Sequence, residues 1–203
     1  MEHAPRWRAP RFAPMDLTLR GQRALICGST QGIGAATAKE MARLGASVTL
    51  LARNAEKLDD MLGRLDRSSG QQHQRIAVDM SDTTALNDAL GASLGKVGPI
   101  SILVNNSGGP PPGPAHEAEI AAFESAFRLH LLAFQTLVRA VVPGMKAAKH
   151  GRIINVISTS VKQPLPNLGV SNTVRGAVAQ WSKTLANELG PHNITVNNVL
   201  PGA

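Results

Sequence analysis

Short apolar runs alternate with helical patterns along the chain from Gln22 onward. Several of the apolar runs are rich in β-branched residues and nearly continuous, which is typical of strands buried on both faces. We predict strands at Arg23–Cys27, Ser47–Ala52, Arg75–Asp79, Ser101–Val104, Arg152–Ile157 and Thr195–Leu200.

The segments between these runs carry apolar residues at three- and four-residue steps, the spacing of one face of an amphipathic helix. The first such face is formed by Ile33, Thr37, Met41 and Leu44, and Gly45 is expected to end that helix. A second comprises Phe123, Phe127, Leu131, Phe134, Val138 and Val141. A third comprises Val174, Val178, Trp181, Leu185 and Leu189.

This alternation predicts an α/β fold: a doubly wound parallel sheet with right-handed crossovers and helices on both faces, in three α-β-α layers. We assign residues 15–203 to one Rossmann-type domain. Residues 1–14 contain three prolines and show no helical or strand period, so we predict that they form an N-terminal arm.

Composition limits the function classes. The 203 residues are 43% hydrophobic and 17% charged, as in a globular protein. The net charge of +7 comes without a dense basic run or interleaved aromatics, so we expect no nucleic-acid partner. No uninterrupted apolar run approaches the roughly 20 residues of a membrane span, so no membrane partner is expected. A single cysteine, Cys27, excludes an intrachain disulfide and favours a reducing, cytoplasmic location.

A glycine-rich loop follows the first predicted strand and opens the first helix: Gly28-Ser29-Thr30-Gln31-Gly32-Ile33-Gly34. Residues without a Cβ allow a tight turn and a close approach to a pyrophosphate, and a helix N-terminus offers free N–H groups. The position between strand and helix favours a dinucleotide site over a purely structural turn.

Several motifs, in their order along the chain, resemble those of the short-chain dehydrogenase/reductase family. They are the loop GSTQGIG, the NNSG at Asn105–Gly108, Ser158 after the fifth strand, and the closing VNNVLPG. The match runs from about Leu19 to the last residue. The resemblance implies a nicotinamide dinucleotide cofactor whose pyrophosphate lies on the glycine loop.

The resemblance also assigns the rest of the cofactor site. Arg53 follows the second strand, where an acid would select NAD; its guanidinium suits a 2′-phosphate and favours NADP, although it could be only a solvated arginine. Asp79 and Met80 correspond to the adenine pocket, although Asp79 could be only a turn or N-cap residue, and Ser81 and Asp82 could cap equally well. The remaining assignments are Asn105, Ser107 and Gly108 beside the adenine ribose, and Pro201 and Gly202 beside the nicotinamide.

The catalytic pattern departs from the family's Asn-Ser-Tyr-Lys tetrad. Ser158 stands at the serine position, but Ser171 replaces tyrosine, Arg175 replaces lysine and His130 replaces asparagine. The chain contains no tyrosine at all. Arg175 can contact ribose or phosphate but cannot relay a proton.

Three proton sources remain open: His130, Lys162 or water. His130 has the most suitable intrinsic pKa, about 6.5, but could equally be a core histidine, and Lys162 could be a solvated loop residue. A stiff loop, Gly108–Pro114, is expected to wall the substrate cleft. The resemblance further implies that the C-terminal end of the family fold, with its substrate lid, is missing after Ala203.

We therefore expect an NADP-dependent oxidoreductase that transfers hydride between nicotinamide and a carbonyl or alcohol substrate, with no metal. The alternative is a catalytically silent dinucleotide-binding protein, acting as a sensor or partner subunit. The resemblance implies a homodimer or homotetramer built through the helices near 115–142 and 172–190.

Overall fold

The sequence folds into alternating strands and helices in a computed structural model that describes residues 16–202. The strands are β1 (Arg23–Cys27), β2 (Ser47–Ala52), β3 (Gln74–Ala77), β4 (Ile102–Asn105), β5 (Gly151–Val156) and β6 (Ile194–Val199). The helices are α1 (Gly32–Arg43), α2 (Ala55–Gly63), α3 (Thr83–Val97), α4 (Ile120–Phe127), α5 (Ala133–Ala148) and α6 (Gly169–Leu189). The predicted arm, residues 1–14, lies outside the described residues.

Within residues 16–202 the strands form one six-stranded parallel sheet in the order β3-β2-β1-β4-β5-β6. The order reverses between β1 and β4, which opens a crevice at the carboxyl ends of these strands. The predicted doubly wound fold is confirmed. Strands β1 and β2 have their predicted bounds, and the others shift by one or two residues.

The core lies in two layers because successive side chains of a strand point to opposite faces of the sheet. In β1, Leu25 and Cys27 pack beneath α3, α5 and α6, whereas Ala24 and Ile26 pack beneath α1 and α2. The described residues therefore form three layers, α-β-α, as predicted.

The predicted apolar face of α1 is only partly correct, because Met41 packs half-buried against the core but the fully buried positions are different ones. The buried positions are Gly34, Ala35, Ala38 and Ala42, whereas Ile33 is 46% exposed. Small side chains allow this helix to pack closely on the sheet, which turns its larger residues to the flank or to solvent. Gly45 does end the helix, with φ +99°, a backbone conformation that glycine adopts without strain.

A π-helical turn, Arg128–Leu132, joins α4 to α5 in one continuous helix of 29 residues. This helix is long and apolar enough to cross a membrane by length and composition alone. Charged residues interrupt its apolar sequence, so it contains no uninterrupted apolar run of that length. Its apolar stripe of Phe134, Leu137, Val138, Val141 and Met145 is buried over the sheet, as in a core helix.

Candidate active site

A cavity of about 650 Å³ opens at the carboxyl ends of β1 to β4. Its walls come from the glycine loop and from the segments that follow β2, β3 and β4. A volume of several hundred Å³ is ordinary for a small-molecule or cofactor site. The predicted residues that line it are Gly28, Thr30, Gln31, Gly32, Ile33, Arg53, Asp79, Met80, Ser107 and Gly108.

The glycine loop is shaped as a phosphate cradle. A Cβ on Gly34 would lie 2.2 Å from the carbonyl oxygen of Gly28, and a Cβ on Gly28 would lie 2.7 Å from Nδ2 of Asn106. Gln31 at the N-cap of α1 makes no side-chain capping bond, and the first turn carries no acidic residue. The first N–H groups of α1 are therefore free to bind an anion at the cavity wall.

Two predicted cofactor residues brace the site from below instead of lining it. Ser29 is fully buried, and its Oγ donates to the carbonyl of Leu51 at 3.3 Å. Asn105 is also fully buried, and its Nδ2 donates to Oδ1 of Asn155 at 2.7 Å. Asn155 in turn donates to Oγ of Ser182 at 2.8 Å, so this chain of bonds ties β4, β5 and α6 together.

One end of the cavity, formed by the segments after β2 and β3, is lined by charged side chains. Arg53, Lys57 and Asp79 all line it, with Nη1 of Arg53 3.8 Å from Oδ2 of Asp79. Asp79 accepts from the backbone N–H and the hydroxyl of Ser81. These bonds, with a smaller contribution from Arg53, hold the pKa of Asp79 below its usual value. Lys57 was missed, although a basic residue four positions after Arg53 is visible in the sequence.

Lys57 is placed by the capping of α2. The side chain of Asn54 accepts from the backbone N–H of Lys57 at 2.9 Å, which starts the helix directly after Arg53. Asn54 and Lys57 thus share the cavity wall with Arg53. A helix start flanked by two cations is a favourable setting for a phosphate group.

Asn106 is a second residue that sequence reasoning passed over. Its Nδ2 lies 3.2 Å from the carbonyl oxygen of Cys27 and 3.4 Å from that of Gly28. These contacts tie the segment after β4 to the glycine loop. Asn106 could have been noticed from its place in the NNSG motif. The motif alone, however, does not show which of its two asparagines contacts the glycine loop.

The predicted substrate-side residues gather around the end of β5, outside that cavity. Ser158 starts a 3₁₀ turn (Thr159–Val161), and its Oγ accepts from the N–H of Ser160 at 3.1 Å. Arg175 is buried, and its Nη1 donates to the carbonyl of Val156 at 3.0 Å. Burial lowers the pKa of Arg175 from its usual value. Ser171 is half-buried one turn earlier on α6.

Three backbone hydrogen bonds hold neighbouring parts of this region in place. Pro201, after β6, accepts from the N–H of Thr159 at 3.2 Å, so the predicted Pro201-Gly202 turn borders the turn at Ser158. Gly113 of the proline-rich loop donates to the carbonyl of Asn167 at 2.8 Å and accepts from Gly169 at 2.9 Å. The loop is thereby fastened to the start of α6, the helix that carries Ser171.

His130 and Lys162 occupy opposite environments. His130 is fully buried in the π-turn, with Nδ1 2.7 Å from Oγ of Ser107. Burial and the nearby positive charge of Arg175 lower the pKa of His130 to about 3. An imidazole in this setting is neutral near pH 7. The ordinary histidine pKa of about 6.5, expected from the sequence, therefore does not apply to His130. Lys162 is exposed.

Known proteins match this chain over nearly all of its length. The family model for short chain dehydrogenases matches residues 22–203. L-xylulose reductase of Mus musculus is 35% identical over 188 residues, which cover 92% of this chain and 73% of that relative. Gluconate 5-dehydrogenase of Gluconobacter oxydans (strain 621H) is 31% identical over 189 residues, covering 93% and 73%.

Solved structures agree in fold as well as in sequence. L-sorbose reductase from Gluconobacter frateurii, complexed with NADPH and L-sorbose, superposes with a TM-score of 0.87 at 34% identity. That match covers 93% of this chain and 72% of the reductase chain. The chain therefore belongs to the short chain dehydrogenase family, whose members are NAD(P)-dependent oxidoreductases.

Proposed function

We propose that this protein is an NADP-dependent oxidoreductase that interconverts a small hydroxylated ketone and the corresponding alcohol. The observation that carries the proposal is the cavity that joins an uncapped, glycine-lined helix start to two cations, Arg53 and Lys57. The relatives named for xylulose, gluconate and sorbose support the hydroxylated substrate class.

The cofactor assignment follows from the shape and charge of the cavity. A dinucleotide pyrophosphate would lie on the N–H groups of α1, where glycines at positions 28 and 34 leave room. A 2′-phosphate would lie between Arg53 and Lys57, since neither Arg53 nor Asn54, the two residues directly after β2, is an acid that would repel it. NAD lacks that phosphate and would lose these two charge-assisted contacts.

The reacting end requires a hydride, an oxygen-binding group and a proton. The nicotinamide, when bound, supplies the hydride that forms the new C–H bond, while the carbonyl oxygen takes up a proton to become a hydroxyl. Ser158 holds that oxygen in this proposal. Ser171 offers a second hydroxyl, and Arg175 holds the cofactor ribose from the same face of α6, four residues on.

The proton then reaches the substrate oxygen from water by way of Ser171. We do not assign the donor role to His130, because burial lowers its pKa to about 3 and an imidazole with that pKa is neutral near pH 7. Lys162, whose side chain is exposed, remains the alternative donor. A serine hydroxyl is a poorer acid than a phenol, so slow turnover is expected.

A catalytically silent dinucleotide-binding protein is the second candidate function. The observation that favours it is the absence of tyrosine from all 203 residues, with serine and arginine at the tyrosine and lysine positions. Such a protein would bind NADPH and act as a sensor or partner subunit.

Oxidation of NADPH in the presence of a panel of ketoses and simple ketones separates the two candidates. We expect turnover on at least one ketose, with a loss of about a hundredfold or more in Ser158→Ala. Ser69→Ala, at an exposed loop position, is the control and should match the wild type. Firm NADPH binding without turnover on any substrate would assign the silent function instead.

The proposal also includes an oligomeric state and a cellular location. We place residues 15–203 in one domain that forms a homodimer or homotetramer in the cytoplasm. Exposed Ile120 and Leu132 on the long helix support a self-association surface, and the single, buried Cys27 supports a reducing compartment. Light scattering during gel filtration would give the mass of the assembly.

A further inference from the structure

A hydrogen bond crosses from the wall of the cofactor cavity to the helix behind it. Ser107 lines the cavity after β4, and its Oγ lies 2.7 Å from Nδ1 of His130. His130 is fully buried in the π-turn between α4 and α5, and Leu129, its neighbour in that turn, lines the cavity. The bond therefore fixes the position of two parts of the cavity wall relative to each other.

This bond is one link in a path of contacts and charges through the site. Asn106, next to Ser107, donates to the carbonyl of Gly28 in the glycine loop at 3.4 Å. At the other end, the positive charge of Arg175 contributes to the low pKa of His130, and Arg175 donates to the carbonyl of Val156 at the end of β5. The path runs from the phosphate cradle to the helix that carries Ser171.

The surroundings of the two ring nitrogens of His130 indicate which of them carries the proton. Within residues 16–202 its Nε2 has no hydrogen-bond partner and is buried. A buried N–H without an acceptor is rarer and costlier than a free lone pair. Arg175 carries a positive charge and only hydrogen-bond donors. Its charge contributes to the low pKa of His130 and so favours the neutral imidazole, which keeps one nitrogen lone pair, over the imidazolium with two N–H groups.

With the proton on Nδ1, His130 donates to Oγ of Ser107. The hydroxyl hydrogen of Ser107 is then free to point into the cavity that Ser107 lines. A neutral histidine in this arrangement gives no proton to the substrate. It orients a serine whose hydroxyl can donate to an oxygen of the bound dinucleotide.

We propose that His130 is a positioning residue which, as the Nδ1–H tautomer, directs the hydroxyl of Ser107 toward an oxygen atom of the bound NADP(H). The inference rests on the proposed function for the identity of the dinucleotide. It reassigns His130 from proton donor to cofactor positioning and gives Ser107 a donor role that the backbone alone could not supply.

Nitrogen-15 NMR of the full chain labelled at histidine tests the tautomer directly. The His130 signals, assigned by their loss in His130→Gln, should show protonated Nδ1 and unprotonated Nε2, with and without NADPH. They should stay so from pH 5 to pH 8. A protonated Nε2 with an unprotonated Nδ1, or an imidazolium near pH 7, would overturn the proposal.

Titration of NADPH into variants tests the role of Ser107. Ser107→Ala should weaken NADPH binding about fivefold, the equivalent of one lost hydrogen bond. His130→Ala should do the same, and Ser107→Ala/His130→Ala should be no weaker than either single variant, because both remove one contact. His130→Gln, which keeps an N–H donor, should recover part of the loss. Ser125→Ala, exposed on α4, is the matched control.

Steady-state rates separate positioning from proton donation. In His130→Gln the KM for NADPH should rise while kcat changes less than about threefold and the pH profile keeps its shape. A hundredfold fall in kcat with unchanged NADPH affinity would instead make His130 the acid. Failure of the wild type to bind NADPH would overturn the proposed function, whereas normal binding unchanged in Ser107→Ala would overturn only this inference.

Discussion

Nη1 of Arg53 lies 3.8 Å from Oδ2 of Asp79, so a cation and a carboxylate lie side by side in the cavity wall where the adjacent strands β2 and β3 end. Both side chains are largely exposed, at 80% and 46%. An ion pair this open contributes at most about 1 kcal/mol. Arg53 can therefore leave Asp79 for a phosphate at little cost, and Lys57 adds a second positive charge beside it.

Replacing Arg53 should separate the two nicotinamide cofactors. Arg53→Ala is expected to weaken NADPH binding by about tenfold to a hundredfold, because a charge-assisted hydrogen bond contributes about 1.5–3 kcal/mol. NADH, which has no 2′-phosphate, should bind as to the wild type. Titration of both cofactors by fluorescence measures the difference.

Two further variants sharpen that result. Lys57→Ala should show a smaller loss in the same direction, whereas Arg64→Ala, paired with Asp60 outside the cavity, should show none. An equal loss for NADPH and NADH in Arg53→Ala would mean that Arg53 supports the fold of the site and does not read the phosphate.

Two glycines of the phosphate loop should respond differently to an added methyl group. In Gly34→Ala the Cβ would lie 2.2 Å from a backbone oxygen, so the loop must move; we expect a loss of about 2–3 kcal/mol and of NADPH binding. Gly32→Ala meets no atom within 4 Å and bears only the strain of φ +55°, about 1–2 kcal/mol. Urea unfolding compares them, and equal losses would contradict the steric account.

The fold could be predicted wherever burial coincides with a plain hydrophobic pattern. Strands β1 and β2 are covered on both faces, so their apolar runs end where pairing ends. Strand β3 was predicted too far toward Asp79 because pairing stops at Ala77, opposite the last residue of β2. The face of α1 was misjudged because alanines, which weigh little in a hydrophobic pattern, make the close contact with the sheet.

The candidate site was less predictable, because its properties depend on burial and on distant neighbours. The glycine loop and Arg53 could be found as local motifs. The low pKa of His130 depends on its burial and on Arg175, which is 45 residues away in sequence (175 − 130). The bracing role of Asn105 likewise depends on Asn155, on a different strand.

Acid should destabilise this protein through buried His130 and, in addition, through half-buried His73. The pKa of His130 is about 3 in the folded chain against 6.5 in the unfolded chain, so the unfolded chain binds the proton first as the pH falls. Its contribution to stability is full above pH 6.5 and is lost between pH 6.5 and pH 3. The expected slope is up to about 1.4 kcal/mol per pH unit. Burial lowers the pKa of His73 too, which adds in the same direction.

Urea unfolding at pH 7, 6, 5 and 4 measures this slope. His130→Asn should flatten it, whatever that variant costs at pH 7. Phe134→Leu is the matched control: it removes the ring packed edge-on against His130 but no titrating group, so it should lower stability and keep the wild-type slope. An unchanged slope in His130→Asn would show that the histidine is not buried as a neutral group.

The proposed correspondence of Ser171 and Arg175 to the family's tyrosine and lysine can be tested by introducing those two side chains. Ser171 and Arg175 are four residues apart on α6, so Ser171→Tyr/Arg175→Lys places a phenol and an amine on one helical face. A phenol near a cation is a far better acid than a serine hydroxyl, and positioned acid catalysis contributes about 10²–10⁴-fold. We expect kcat for NADPH-dependent ketone reduction to rise by about a hundredfold.

The control for that variant is Ser171→Phe/Arg175→Lys, which adds the same ring without its hydroxyl and should show no rise. If both double variants gain equally, packing and not acidity limits the native chain. If the wild type has no turnover and the tyrosine variant acquires it, the remaining site is competent. The silent function would then follow from two side chains on α6, because Ser158 and the cofactor cavity would already suffice for hydride transfer.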